Sequence, residues 1–190
     1  RLEKLFDNTP DYLAHEYFNL DWQCIPFNQM AKKMEEVKLD WAASANLLDQ
    51  VETLALTSEQ WRYFNEIPDK ILAQTIYDIM INQQFRRDLF IRGARRLKPA
   101  LRAERLADYS FILAKNPKEI SLELNTANGQ ATLNKEIYQP IIAALADNPN
   151  EPSHFSQIRA AVNSTTANNN QLFQALAVLS GIGSISPCQS

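Results

Sequence analysis

The sequence predicts an α+β fold that is predominantly α-helical. Two observations carry this. Between residue 11 and about residue 114, apolar residues recur at spacings of three and four between helix caps and prolines. From residue 118 the period changes to two, and a hairpin signal follows at Asn128-Gly129. The change of period divides the chain into a helical region over 1–115 and a second module over 116–190.

The first helix is expected over 11–20, with Asp11 as its cap. Tyr12, His15, Glu16 and Asn19 would share one face, and Leu13, Tyr17 and Leu20 the other. Pro26 breaks the chain. A helix follows with Phe27, Met30, Met34 and Val37 as its apolar stripe. "LDWAASANLL" reads as a short strand or extended piece ending near Asn46. Thr57 and Gln60 form a capping box that opens a helix with Trp61 and Phe64, ended by Pro68. Asp69 starts a longer helix to about Phe85, with Leu72, Ile76, Ile79, Met80 and Gln83 on its stripe; Phe85 and Phe90 are expected in the core. Gly93 interrupts the chain after "RRDLFIR", and residues 100–114 read as another helix, ended before Asn116-Pro117.

Beyond 118, Ile120, Leu122 and Leu124 alternate with polar residues as in a half-buried strand. Asn128-Gly129 accepts the positive φ of a type I′ turn, and "QATLN" returns as the partner strand. Asn134 caps a helix with Ile137, Ile141, Ile142 and Leu145. Ser153 is placed to cap a short one with Phe155, Ile158 and Val162. Asn168 opens a third with Leu172, Leu176 and Leu179, ended by Gly181 and Gly183; "SIS" then adds a last strand. Three short helices, a hairpin and a terminal strand make a winged-helix-like module.

Composition narrows the chemistry. At 45% hydrophobic and 22% charged, the 190 residues match an ordinary soluble globular protein. No run of 18 apolar residues offers a membrane span, and no leader is visible. Cys24 and Cys188 lie too far apart for a metal knuckle, so a reduced, cytoplasmic protein is expected. His15 and His154 are the only histidines. The four glycines build neither a dinucleotide fingerprint nor a phosphate loop, and no Gly-x-Ser-x-Gly elbow occurs, so the chain holds no cofactor cradle of its own. Charge is uneven. Residues 1–59 hold 5 Lys+Arg against 11 Asp+Glu, and residues 86–105 hold 8 against 2. The chain opens on Arg1 rather than Met, as a fragment of a longer protein would.

The stretch "HEYFNLDWQCIPFNQMAKKMEEVKLDWAASANLL" resembles the start of the regulatory domain of bacterial S-adenosylmethionine-dependent methyltransferases. His15, Glu16, Tyr17, Pro26, Phe27, Leu39 and Trp41 carry the first part of the resemblance. "NQQFRRDLFIRG", with Phe85, Arg86, Arg87 and Arg92, carries the last. Phe18 departs from the pattern, which has an aliphatic residue after the Tyr, and Cys24 takes an unusual place before the Pro. The C-terminal module resembles the domain that follows this region in protein-lysine methyltransferases. The resemblance implies an upstream class I methyltransferase domain that binds S-adenosylmethionine. This chain would then be a non-catalytic part that regulates or presents substrate, a protein amine among the candidates.

Methyl transfer needs alignment and removal of a proton from the nucleophile. The resemblance therefore places His15, Glu16 and Tyr17 as catalytic candidates, acting only together with the methyltransferase domain. The plainer alternative is that they hold a neighbouring loop. Trp22 and the guanidinium forks of Arg86, Arg87 and Arg92 are candidates for substrate or anion capture; the plainer alternative is internal pairing. Two rival roles remain, a standalone protein-interaction module and a transcription regulator. The second meets a charge objection. Residues 116–190 hold 3 Lys+Arg against 5 Asp+Glu, and Asn168–Ser180 carries no charge, whereas DNA binding needs cations on phosphates. No nucleic-acid or membrane partner is expected, and the sequence leaves a monomer and a homodimer both open.

Overall fold

The computed structural model describes residues 7–18, 20–21, 23–93, 95, 97–127, 129–162 and 166–188. Its first helix, α1 (Pro10–Tyr17), is capped by Thr9 rather than Asp11. Pro10 takes the first helical position, where a missing N–H costs nothing, so the cap moves back two residues. The Thr9 hydroxyl accepts from the Tyr12 N–H at 3.3 Å. None of the residues of α1 is buried. Asn19, assigned to its polar face, lies outside the described residues.

α2 (Phe27–Glu36) follows, burying Phe27 and Ala31. β1 (Asp40–Ser44) pairs antiparallel with β2 (Asp88–Ile91), Trp41 opposite Phe90 and Ser44 opposite Asp88. Two 3₁₀ turns, Leu47–Gln50 and Glu52–Leu54, lead to α3 (Ser58–Glu66). Its Thr57–Gln60 capping box forms as expected. α4 (Lys70–Ile81) is capped by Asp69 and ends at Asn82 in the left-handed conformation.

That early end corrects two expectations. The chain leaves α4 in extended form, so Phe85 is 84% exposed instead of in the core, while Phe90 is half-buried. The buried side of α4 is Ala73 and Tyr77; Leu72 and Ile79, expected on the inner stripe, are exposed. Outside the stripe of Lys70, Gln74 and Asp78, "KILAQTIYDIMI" is apolar on several faces, so its periodicity does not choose which of them is buried. Packing against α2 and α3 does, with Tyr77 against the Phe64 ring at 5.9 Å.

α5 (Pro99–Ala107) is shorter than the helix expected over 100–114, because its second half is the strand β3 (Ser110–Leu113). "SFIL" is a short apolar run that periodicity cannot assign; sheet partners decide it. β3 is the centre of a three-stranded antiparallel sheet, with β6 (Ser153–His154) on one side and β7 (Ile185–Cys188) on the other. Between them run the β4 (Glu123–Thr126) and β5 (Gly129–Thr132) hairpin and three helices, α6 (Lys135–Ala146), α7 (Phe155–Ala161) and α8 (Asn169–Gly181). Asn128 lies outside the described residues; Gly129 follows it with φ of 113°, which only glycine adopts freely. Ser153 does not cap α7, as it is buried in β6. His154 does, its Nδ1 accepting from the Ser156 N–H at 3.3 Å while Gln157 accepts from the His154 N–H at 2.8 Å.

The main core lies in this second half. Ile141, Ile158, Leu172 and Leu179 are fully buried there. The first half reaches it through Val51, Leu48 and Leu54. At the crossing, Gly181 lies so close that a Cβ would stand 2.8 Å from Leu48 Cδ2. α8 starts with a third capping box, after those of α3 and α7, Asn168 accepting from the Gln171 N–H at 3.0 Å. Asn168→Ala is expected to cost about 1 kcal/mol, read as a Tm lowered by roughly 2–4 °C.

Candidate functional site

The site residues expected from sequence fall into two places. His15, Glu16 and Tyr17 occupy the last turn of α1, all three exposed. Neither the His15 nor the Glu16 side chain has a hydrogen-bond or ion-pair partner among the described residues. Tyr17 meets Tyr12 edge-on, ring centroids 6.4 Å apart. Beyond them Phe18 is 77% exposed and Leu20 fully exposed. Trp22 lies outside the described residues.

Arg86 is elsewhere and is engaged. Its Nε donates to Asp88 Oδ2 at 2.8 Å, and one terminal nitrogen donates to Asp88 Oδ1 at 2.8 Å and to Gln74 Oε1 at 3.1 Å. The other terminal nitrogen pairs with Asp78. The guanidinium carbon stands 4.0 Å from the centroid of the Phe27 ring, a cation–π distance. Asp88 also accepts from the Trp41 indole N–H at 2.8 Å, and Trp41 meets Phe27 edge-on at 5.5 Å. One arginine thus ties α2, β1, α4 and β2 together. Burial pulls its pKa down, but the bonds to Asp88 and Asp78 outweigh this and hold it above the usual value. Burial raises the Asp78 carboxyl, against the pull of Arg86. Arg87 and Arg92 are exposed, and Arg87 takes part in the β1–β2 junction through its carbonyl, which accepts from the Ala45 N–H at 2.8 Å. No described contact joins these arginines to the His15–Tyr17 turn.

Sequence reasoning missed Asp78, Asp88 and Gln74. Gln74 and Asp78 share one face of α4 at i, i+4. That face becomes visible only once "RRDLFIR" is recognised as a strand that carries Arg86 across it. Missed too is a cleft of about 550 Å³ between β1 and the α3–α4 turn, with Trp41, Asp49, Glu52 and Phe64 in its walls. Among the described residues no cluster of His, Cys, Asp and Glu could hold a metal ion, and no helix is long and apolar enough to cross a membrane.

The chain is 35% identical over 187 residues to an uncharacterized protein, sll1526, of Synechocystis sp.; the match takes in 98% of this chain and 36% of that protein. Its fold is similar to that of PKMT2 from Rickettsia typhi, with a TM-score of 0.58 at 15% identity over the whole chain and 41% of that protein. The structure of that protein in complex with AdoHcy gives the same TM-score over 98% of this chain and 40% of the other. The chain therefore spans about two fifths or less of the length of these relatives. A family model described as a predicted methyltransferase regulatory domain matches residues 9–92, which contain both α1 and the Arg86 junction. Residues 9–92 of this chain belong to the methyltransferase regulatory domain family.

Proposed function

We propose that this chain is the regulatory and substrate-presenting part of an S-adenosylmethionine-dependent methyltransferase, and that its first half docks on the methyltransferase domain. The observation that carries this is an asymmetry of apolar surface. Every exposed large apolar side chain among the described residues lies at or before Tyr109, whereas the main core, Val51 aside, begins at Phe111. A fold that finishes one core and leaves Leu72 and Ile79 of α4 in water, with Tyr17, Phe18, Leu20 and Phe85 exposed elsewhere in the same half, is suited to being covered there.

In this reading the His15–Glu16–Tyr17 turn faces the cofactor cleft of the partner domain. His15 or Glu16 there takes the proton of a protein amine, and Trp22, Arg87 and Arg92 line the approach. The Arg86 fork, already saturated, holds the junction in shape. S-adenosylmethionine belongs to the partner domain; PKMT2, whose fold this chain resembles, forms a complex with AdoHcy. The units are 1–115 and a winged-helix-like 116–190, with β3 lent to the second. The short strand between α6 and α7 and the strand after α8 support that shape. The setting is cytoplasmic, and the same apolar faces would serve a homodimer.

Calorimetry tests the reading. The chain alone should give no heat with S-adenosylmethionine, and a separately made methyltransferase domain of the same protein should bind both. Leu72→Glu with Ile79→Glu should weaken that association at least about tenfold without lowering Tm. Micromolar cofactor binding by the chain alone, or no association between the two parts, overturns it.

A further inference from the structure

We propose that the cleft between β1 and the α3–α4 turn is a binding site for a cationic side chain, an ammonium or guanidinium carried by a peptide, with Glu52 as its counter-charge. This goes beyond the regulatory reading and stands without it.

The cleft, at about 550 Å³, falls within the range of roughly 300–1,000 Å³ that ligand pockets occupy. Two aromatic rings stand in its walls, Trp41 and Phe64. Both are held in place before any ligand arrives. Trp41 is fixed by its indole bond to Asp88 and by Phe27, and Phe64 by Tyr77. Ring faces attract cations, more so where water is thin.

Glu52 lines the same space from the first turn of its 3₁₀ segment. It is half-buried, and among the described residues its carboxylate has no ion-pair or side-chain hydrogen-bond partner. A desolvated carboxylate is costly, and burial pushes the Glu52 pKa up against the opposing pull of a hydrogen bond from its own backbone N–H. Asp49 stands beside it. Its two oxygens accept from Ser44 at 2.8 Å and Asn46 at 2.9 Å, which leaves lone pairs free. Behind them the field is negative. Burial first, then Asp49, Glu52 and Asp78, drive the Tyr77 phenol upward, with only Arg86 in opposition. Lys70 and Arg102 also line the cleft, but neither lies within ion-pair distance of Asp49 or Glu52. The cleft thus holds two carboxylates and two aromatic walls, and its own cations, Lys70 and Arg102, pair with neither carboxylate.

The test is an NMR titration of the 190-residue chain with three pentapeptides, Gly-Ser-X-Ser-Gly, in which X is lysine, arginine or norleucine. The Trp41 indole N–H and the Ser44 and Glu52 amides are followed. The lysine or the arginine peptide should move all three signals, and whichever moves them more names the head group; the uncharged norleucine peptide should not. Glu52→Gln should weaken binding about tenfold or more, while Glu119→Gln, on an exposed turn, leaves it unchanged. A folding readout separates lost binding from lost structure. A carboxyl whose folded pKa is raised costs stability that grows as pH rises through the carboxylate range. Glu52→Gln should therefore raise Tm at pH 7, with the gain vanishing below about pH 4. Equal shifts with norleucine, full affinity in Glu52→Gln, or no shift at millimolar peptide each overturn the proposal.

Discussion

Arg86→Ala is expected to destabilise the chain by about 3–5 kcal/mol, the cost of breaking a buried ion pair from one side. The side chains of Arg86, Asp78 and Asp88 are only 17%, 18% and 9% exposed. Removing the guanidinium leaves two carboxylates facing each other across α4 and β2, with Gln74 also deprived of its donor. The stack on Phe27 is lost with it. In a chain of this size the Tm should fall by roughly 10 °C. Arg86→Lys should recover only part, since an ammonium cannot fork onto Asp88 while reaching Asp78 and covering a ring. The pH dependence has a definite sign. Burial already raises Asp78 against the pull of Arg86. Without that pull its folded pKa rises further, so the deficit is largest above the carboxylate range and shrinks as pH falls through it. Urea unfolding at pH 8 and pH 5 checks both statements. A loss under about 1 kcal/mol, as for a surface pair, or a deficit that grows toward acid, would sink the account.

The same junction shows where the sequence was legible. Four of the six expected caps could be read directly; Asp11 and Ser153 give way to Thr9 and His154. Thr57–Gln60, Asp69, Asn134 and Asn168 all cap the helices they announce, because a cap is a contact between residues two or three apart in sequence. What could not be read depends on distant partners. "SFIL" is a strand because Ser153–His154 and Ile185–Cys188 flank it. "DLFI" is a strand because Asp40–Ser44 lies beside it. Arg86 was singled out by its place in a motif. Its role depends on Asp78 and Asp88, whose significance appears only when a helix and a strand are brought together. The Glu52 cleft left no local mark at all, since its walls come from four separated segments. The His15–Tyr17 turn was visible as a motif, yet the residues that would give it a chemical meaning are not among those it touches.

Leu179→Ala is expected to cost about 3 kcal/mol or more, within the range for a fully buried leucine that leaves a cavity. Leu179 is fully buried in α8, among Ile141, Ile158 and Leu176. Leu72→Ala is the informative contrast. The residue type is the same and it too sits on a helix, but Leu72 is 49% exposed on α4. Its truncation should change stability by no more than about 0.5 kcal/mol. If the exposed face of α4 is a docking surface, that leucine acts through a partner and not through the fold. The pair also tests how the halves are joined. Val51, Leu48 and Leu54 carry the first half into the core that Leu179 completes, and Gly181 admits Leu48 at close range. Combined in one chain, Leu179→Ala and Arg86→Ala should still give a single unfolding transition whose loss is near the sum of the two, because the sites share no partner. Two separate transitions would mean that the core and the Arg86 junction fold independently, and that Leu48 and Val51 rest on α8 without coupling the halves.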